Sequence, residues 1–568
     1  LLAVTAGLAL ADPPAIGEKT PFFSFKDIRY LPRTLHDIAD AKVHVLGLAN
    51  IMDPKAERFL AELAELHKTY VSDGVSVMAV DIDPATGIGQ MAWRAVELDA
   101  QYPFVKDQDG EVRKALGVAE WPVVAVLDKD HVLHYRGAFD KAAAAVKAVL
   151  AKEEAPDPVP VDGQPVAETE LPDPAEPVTF AKDIAPILKR NCVSCHQPNE
   201  VAPFSLMDYE DAAGHAEMIA EVVREERMPP WYALDGVGSF INKRGLSDKE
   251  KLVIAQWVQG GKEQGDLSQA PEMPKPREEK WAMDTPDLVV TAETQELPAE
   301  GYIPYRYIGF PYQFPEDTWI QGLEILPSNP SVVHHANLAY MPAGGEYDGY
   351  NNFLIGKVPG AEPLRLSNNI AMMIPKGSVL VLQVHYVTTG KAEQDVPAIG
   401  IRYAKEKINK KVHFKIVQSL DFKIPPHDPL HEVRGEQTLD TDATGLALFG
   451  HMHLRGRDFQ FKAHYPDGKS EQLLVVPNYS FDWQMAYQWM PGFKQFAKGT
   501  RIELIAHFDN SAFNPYNPDP SKTVEWGPQT FHEMCDGYFF YLDNNENLNL
   551  QVDPETGQAV EQVAMAEE

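Results

Sequence analysis

Two proline- and acid-rich stretches constrain this chain more than any other feature. EEAPDPVPVDGQPVAETELPDPAEP, Glu153–Pro177, and the shorter APEMPKPREEK, Ala270–Lys280, cannot be interior helices or central strands. Proline lacks the amide hydrogen that both structures need, and so many carboxylates demand water. Both stretches read as stiff, solvated linkers. They divide 568 residues, enough for roughly three to five domains. The expected order is an N-terminal block at 12–152, a linker at 153–177, a middle block at 178–268 and a second linker at 269–285. A long C-terminal block follows, divided into 286–423 and 424–545 before an acidic tail at 546–568.

The formal charge is −32, which argues against nucleic acid or an anionic membrane surface as a partner. The chain opens LLAVTAGLALADPP, an apolar run ending Ala9-Leu10-Ala11 in the small-x-small form of a secretory cleavage site. Residues 1–11 are therefore expected to be a signal-peptide remnant and the protein to be exported, periplasmic or secreted. No later run reaches ~18 uninterrupted apolar residues, so no membrane span is expected in the mature chain. Only Cys192, Cys195 and Cys535 occur, which is no disulfide framework.

The N-terminal block alternates strand and helix. KVHVLGLANI is an apolar strand, PKAERFLAELAELHKTYVSDG has apolar residues at helical spacing, SVMAVDID is a second strand, and a hairpin, WPVVAVLDKDHVLHYRG, follows another helix. This order resembles the α/β thioredoxin/peroxiredoxin fold, with Pro122 at the place of its cis-proline. That family carries its redox cysteines after the first central strand, and here the segment reads LANIMDPKAERF. Thiolate chemistry needs a thiolate. The block is expected to be redox-inert, a docking or scaffold domain.

In the middle block, Cys192-Val-Ser-Cys195-His196 is the C-x-x-C-H pattern of c-type haem attachment. It predicts an all-α cytochrome c domain with one covalently attached haem c, the two thiols bonded to the haem and His196 on the iron. A zinc site would need a second ligand pair at similar spacing. FAKDIAPILKR before the motif and SDKEKLVIAQWVQGG, Ser247–Gly261, are its expected flanking helices. Met228, in ERMPPW, is the expected sixth ligand, with Met207 and Met218 as rivals. A Met/His pair raises the haem potential and suits electron transfer.

The C-terminal block is strand-rich, with short apolar runs such as TWIQGLEILP and RIELIAHFDN between Pro, Gly and Asn turns. This spacing predicts two antiparallel all-β sandwiches. SVVHHANLAY places His334 beside His335, VLQVHYVTT contains His385, and GHMHLRG holds His451 and His453 on one strand face, suited to one metal. Met534 lies in FHEMCDGYFFY. Taken singly, His385 reads as a core histidine, Met534 as a core methionine and the HxH as a zinc or structural pair. Together, in one β-rich block beside a cytochrome motif, they point to metal.

The order HH, H, HxH, M, with EMC-x-x-Y around Met534 to Tyr538, resembles the copper type II, ascorbate-dependent monooxygenases, peptidylglycine α-hydroxylating monooxygenase and dopamine β-monooxygenase. The resemblance covers most of 286–545. It implies two jelly-roll sandwiches facing across a solvent-filled cleft, with two copper ions. His334, His335 and His385 would hold the electron-transferring copper, and His451, His453 and Met534 the copper where dioxygen binds. The implied activity is hydroxylation of a C–H bond of a small organic substrate with O2. Ascorbate or a redox protein would be the electron donor, and the in-chain haem would supply or relay electrons.

Peptidylglycine enzymes carry an arginine two residues before the HxH, where this chain has Phe449. Tyr538 matches their tyrosine, but Asp536 replaces an asparagine. A peptide carboxylate is therefore not expected, and an uncharged or cationic, partly apolar molecule suits Phe449, Asp536 and Tyr538 better. The family's cysteine next to the ligand methionine is usually disulfide-bonded, and Cys535 has no partner once the other two hold haem. His507 and His532 read at least as well as core or surface histidines as ligand-orienting ones, His427 and His431 as solvated loop residues, and DWQMAYQWMP, Asp482–Pro491, as core and cleft rim. The competing reading is an electron-transfer or copper-binding protein without substrate oxidation. A third is an interaction protein in which the haem alone is functional.

Overall fold

The strand Val43–Ala49 is buried along its whole length. It runs parallel to Val75–Asp81 and antiparallel to Val123–Asp128. A computed structural model describes residues 13–560 apart from 39, 168–170, 199, 201, 276–279, 359–361 and 367–368. The expected signal remnant at 1–11 and the last part of the tail lie outside the described residues. In the N-terminal block these strands are the centre of a seven-stranded sheet. Its order is Pro32–Arg33, Phe25–Lys26, Phe104–Lys106, Val75–Asp81, Val43–Ala49, Val123–Asp128 and Leu133–Gly137. The helix Glu57–Tyr70 buries Phe59, Leu60, Leu63 and Leu66, the stripe of an amphipathic helix lying on a sheet. Gly47 is required for that contact, because a Cβ there would collide with the Leu63 side chain. The thioredoxin-like α/β fold is present, and the Trp121–Pro122 bond is cis.

The first linker is less free than its composition implies. Gln164–Pro165 pairs with Glu120–Trp121, and Ala138 N donates to Val159 O at 3.0 Å. Proline is tolerated on a sheet edge, so a proline-rich segment can still lie against the domain it leaves.

The middle block consists of short helices, among them Ala185–Asn191, Tyr209–Gly214, Ala216–Arg224 and Asp248–Gln259. Phe180, Ile184, Leu188, Ile219, Ile254 and Trp257 form its own core. Ser247 caps the last of these helices in a capping box with Glu250, as the S-x-x-E spacing dictates. Residues 231–242 leave this cluster and run along the C-terminal region. Leu234 N donates to Val475 O at 2.8 Å and Ile241 N to Gln488 O at 2.9 Å.

The C-terminal region is β-rich and built from several sheets. In a first unit, one sheet contains Leu288–Thr291, Ala398–Tyr403, Thr318–Leu326 and Ile370–Ile374. A second sheet has the order Arg306–Gln313, Ser378–Tyr386, Val333–Pro342 and Phe353–Lys357. Ile320, Leu323 and Ile401 of one sheet share a core with Leu338 and Leu382 of the other. A second unit repeats the arrangement. Its first sheet contains His413–Ser419, Cys535–Asp543, Ala443–His451 and Ala486–Gln488, and its second His431–Thr438, Arg501–Phe508, Gly456–His464 and Ser470–Val476. Val417, Leu448, Phe461, Leu504 and Phe539 lie between them.

Two boundaries and the reading of one histidine differ from the sequence reading. Residues 281–283 belong to the first β unit, since Ala282 N and Met283 N donate to the Glu324 carboxylate at 2.9 and 2.8 Å. Residues 550–560 are folded, with Leu550 bridging Ile408 and Gln558 bridging Thr318. Val552 joins Trp319, Ala371 and Ile408 in a small core, which apolar side chains seek whatever the charge around them. His431 opens a strand paired with Phe508 and bonds the Asp428 carboxylate at 3.0 Å, so it is no solvated loop residue. Among the described residues, no helix is long and apolar enough to cross a membrane.

Candidate metal centre

The adjacent histidines converge because their strand is irregular. In Val333–Pro342 the register with Ser378–Tyr386 shifts between Val333 and His335. A bulge there lets neighbouring side chains, which would otherwise alternate, turn to one side. His335 sits directly opposite His385. One ligand atom each from His334, His335 and His385 lies within 4.8 Å of the other two. The Nδ1 atoms of His334 and His335 are 2.9 Å apart, and His385 Nδ1 is buried without a hydrogen-bond partner.

Two of the remaining nitrogens have partners. His334 Nε2 donates to Asp482 Oδ1 at 2.7 Å, and His335 Nε2 meets the Tyr305 hydroxyl at 3.3 Å. A proton held on Nε2 leaves the Nδ1 lone pair for a metal. Burial, with His334 beside it, pushes His385 down to about 4. Burial among the other histidines holds His335 well below its ordinary value. His335 and His385 are thus held in the neutral form that a ligand needs. This donor set fits copper.

The second group is ordered through the opposite nitrogen. His451 Nδ1 donates to Gln484 Oε1 at 2.6 Å and His453 Nδ1 to the His532 carbonyl at 3.2 Å. Because these amide oxygens only accept, both Nε2 lone pairs are free. His451 pairs with Asp536 and Phe449 with Tyr538. Paired residues share a sheet face, as do residues two apart on one strand. Phe449, His451, Asp536 and Tyr538 therefore belong to one face, and Met534 directly precedes the strand that carries two of them. Gly450 and Gly537 belong to the other, where an added Cβ would meet the Phe459 and Phe461 rings of the unit's own core. The ligand-type face is the one turned outward, toward the first unit. The Tyr350 hydroxyl approaches Met534 Sδ at 3.9 Å, and the Phe353 and Tyr538 rings are 5.3 Å apart.

Two buried carboxyl groups flank Met534. Glu533 accepts from His453 N at 2.8 Å and Arg455 N at 2.7 Å, pinning the turn that presents His453. Burial still pushes it up to about 8. Asp536 is 1% exposed, its Oδ1 has no partner, and burial pushes it up to about 7.

The open cleft implied by the family resemblance is closed here. The His335 and His451 rings are 6.5 Å apart. Phe481 stacks on His334 at 5.0 Å and approaches His453 at 6.2 Å. That ring fills the space between the groups, leaving His335 4% and His453 1% exposed. Phe481, Asp482, Gln484, Tyr305 and Glu533 are absent from the candidates read in the sequence. The aromatic run at 482–491 was the available signal, and it reads as core and cleft rim.

At the C-x-x-C-H motif, His196 N and Cys195 N both donate to Cys192 O, at 2.9 and 3.1 Å, a tight turn that gathers the three side chains. Both thiols are free and half-buried. His196 Nδ1 donates to Phe204 O at 3.1 Å, leaving Nε2 for a metal. The set fits covalent haem. Met228 and Met207 are half-buried, while Met218 is 50% exposed. His215 is a further imidazole nearby. Its ring stacks on Phe204 at 4.1 Å, its Nδ1 donates to Asp211 O at 2.8 Å, and no sequence motif marks it.

In the N-terminal block the place of the family's thiols holds a polar network. Asp81 accepts from Ile51 N at 3.2 Å and pairs with Lys106 at 2.6 Å, both side chains fully buried. Asn50 donates to Asp83 at 2.6 Å. The linker residues Gln164 and Pro165 line a cavity there with Asn50, Asp53 and Trp121, so the segment also covers this end of the sheet.

Residues 16–136 match the AhpC/TSA family, a thioredoxin-like oxidoreductase fold. No curated protein matches the chain. Among solved structures, a hypothetical protein from Sinorhizobium meliloti 1021 is 22% identical, covering 27% of this chain and 94% of its own, with a TM-score of 0.26. Peroxidoxin BcpB from Mycobacterium tuberculosis is 21% identical, covering 24% and 94%, with a TM-score of 0.21. A protein described as a thiol:disulfide interchange protein DsbE from Chlorobium tepidum is 18% identical, covering 24% and 98%, with a TM-score of 0.22. Likenesses of this size carry no functional argument.

Proposed function

We propose that this chain is an exported copper-dependent monooxygenase with a c-type cytochrome domain and two jelly-roll domains in the same polypeptide. It would hold two copper ions and one covalent haem c. It would hydroxylate a C–H bond of a small organic substrate, with ascorbate or a redox protein as donor: R–H + O2 + 2 e− + 2 H+ gives R–OH + H2O. The observation that carries this reading is the pairing of two differently ordered groups. Three imidazoles converge, His334 and His335 with their Nδ1 atoms 2.9 Å apart, and an HxH pair with both Nδ1 atoms pinned is tied through His453 N to Glu533, the neighbour of Met534.

Bound copper supplies dioxygen activation, and bound haem supplies one-electron transfer. The chain's own residues do the rest. Asp482 holds His334 in the ligating tautomer and Tyr305 positions His335, and Gln484 and the His532 carbonyl fix the tautomers of the second group. Glu533 fixes the turn carrying His453. Phe481 excludes water from between the groups. Phe449, Tyr538 and the unpaired carboxyl of Asp536 offer a neutral or cationic, partly apolar substrate an aromatic surface and one acceptor. Residues 231–242, just after Met228, tie the cytochrome region to the second β unit through Trp231 and Phe240 against Tyr487.

The test is metal and haem analysis of copper-replete protein, its visible spectrum, and oxygen-18 incorporation from O2 into a panel of amines and neutral alkyl-aromatic compounds. Two coppers, one haem c and labelled alcohol support the reading. Zinc at near-full occupancy in both groups rejects it. The 6.5 Å approach of His335 and His451 favours the second reading, electron transfer or copper binding without substrate oxidation. Full copper and haem loading with no labelled product from any compound would establish that reading instead.

A further inference from the structure

The linker that leaves the thioredoxin-like block is held on it at three successive places. Ala138 N donates to Val159 O at 3.0 Å, Gln164–Pro165 pairs antiparallel with Glu120–Trp121, and Val166 N donates to Ala119 O at 3.0 Å. Two glycines make this approach possible. A Cβ on Gly163 would lie 2.5 Å from Trp121 O, and one on Gly137 would lie 2.5 Å from Val159 O. Neither glycine has a left-handed φ, so the closeness of two backbones, and not a turn, is what requires them. Val161 and Val166 pack partly buried against the block's core, while Gln164 and Pro165 are exposed.

The space beneath the segment is not filled. Residues 164–167 form one wall of a cavity of about 240 Å³ over Asn50, Asp53 and Asp83, room for several waters. The segment is therefore fastened by its backbone and two valines, without a packed layer under it. The sheet strand Val123–Asp128, by contrast, is buried almost throughout and paired on both sides. Few apolar contacts and exposed hydrogen bonds mark the part of a domain that opens first. Opening here leaves Ala119 O and Ala138 N without their partners, beside the ends of two strands. Unpaired groups at strand edges are what an extended peptide pairs with.

We propose that residues 159–166 are a latch bound in cis: the thioredoxin-like block has an edge that takes an extended peptide, and the chain's own linker occupies that edge reversibly. The docking role expected of a block without a thiol is then held shut by the protein itself. The geometry also specifies the peptide that fits. It is extended, has glycine where it crosses Trp121 O, and carries valines two residues before that glycine and three after it. The inference does not rest on the copper or haem reading.

The experiment is amide exchange of the full chain together with titration by a fluorescent peptide of residues 157–167. In the wild type, the amides of Ala138 and Val166 should exchange at least tenfold faster than those of Val123–Asp128. Gly163→Val, which forces the segment away from Trp121 O, should speed exchange at Ala138 and Val166 at least tenfold further and leave the sheet strand unchanged. The same variant should bind the peptide at least tenfold more tightly than the wild type does, and a peptide carrying valine in place of its glycine should bind neither. Val166→Pro, which lacks the donor to Ala119 O, should show the same gains at Ala138 and in peptide binding if Gly163→Val does not fold. Latch and sheet amides exchanging together in the wild type, or a folded variant with no change at Ala138 or no gain in peptide binding, would overturn the proposal.

Discussion

After the strand Val43–Ala49 the chain turns through Asn50–Asp53, and the side chains gathered there are carboxylates, an amide and the buried Lys106. Val333–Pro342, in the first β unit, begins at a bulge where three imidazoles with available nitrogens gather. The first region has the recognisable fold of a redox family without that family's reactive atom. The second has atoms suited to redox chemistry, in a β-rich region outside the AhpC/TSA match at residues 16–136. The contrast teaches that a fold supplies positions while particular side chains supply reactivity. Within this chain the two have separated. The thioredoxin-like block keeps a packed sheet and contributes Arg29 and Tyr30 to a junction with the region that bears the candidate ligands.

The sharpest way to break this contrast is to remove a ligand. His451→Ala or Met534→Ala should lower labelled product at least a hundredfold while leaving reduction of the haem, followed by its visible spectrum, unchanged. Unchanged product would mean that the chemistry lies elsewhere.

A second test acts on the stability of the N-terminal block. His44 is 1% exposed, and burial, with His131 and His36 adding to it, pushes it down to about 4. Between its unfolded value near 6.5 and that folded value, the unfolded chain binds more protons. Stability is therefore full above about pH 6.5, falls as pH drops toward 4, and levels off below. The shift corresponds to about 3 kcal/mol. Amide exchange in the sheet strands of the intact protein, corrected for intrinsic rates, should lose protection between pH 7 and pH 4.5, and His44→Leu should flatten that loss. Equal losses in both proteins would show that His44 is not what the acid attacks.

Gln484→Leu sharpens the comparison at the second histidine group. Removing the acceptor that orients His451 should weaken copper binding by about tenfold to a hundredfold, measured by competition with a chelator. It should leave the His334, His335 and His385 group unaffected.

Met228→Leu should change the haem potential and slow haem-driven turnover several-fold, with little effect on turnover driven directly by ascorbate. A shift in potential on His215→Ala but not on Met228→Leu would reassign the sixth ligand. The smallest expected effect is none at all. Catalase-free peroxide consumption with a dithiol donor should not be altered by Asn50→Ala or Asp53→Ala, since neither residue takes the place of a thiolate.

Much of the fold was legible because it rests on local chemistry. The alternating apolar strands and amphipathic helices of the N-terminal block, Pro122, and the Ser247 cap depend on near neighbours in the chain. So does the C-x-x-C-H turn, where Cys192 O accepts from both residues that follow. The candidate ligands were legible as residue types. Their ordering was not. Gln484 lies 33 residues from His451, Asp482 148 from His334, and Tyr305 30 from His335. No local pattern distinguishes such partners from core residues. The first linker and the tail were misread in the other direction, because composition reports solubility and not whether Gln164 or Leu550 finds an edge to pair with.

The sequence by itself determined which atoms this protein can use: imidazoles, a thioether, two thiols at haem-binding spacing, and no cysteine before Cys192. Those follow from covalent structure and survive any fold. Only the tertiary structure decided which nitrogen each imidazole leaves free, that Phe481 closes the space between the two groups, and that Arg29 reaches the same junction. Each is a contact between distant parts of the chain, and its energy comes from burial and from hydrogen bonds that exist only after the domains have packed.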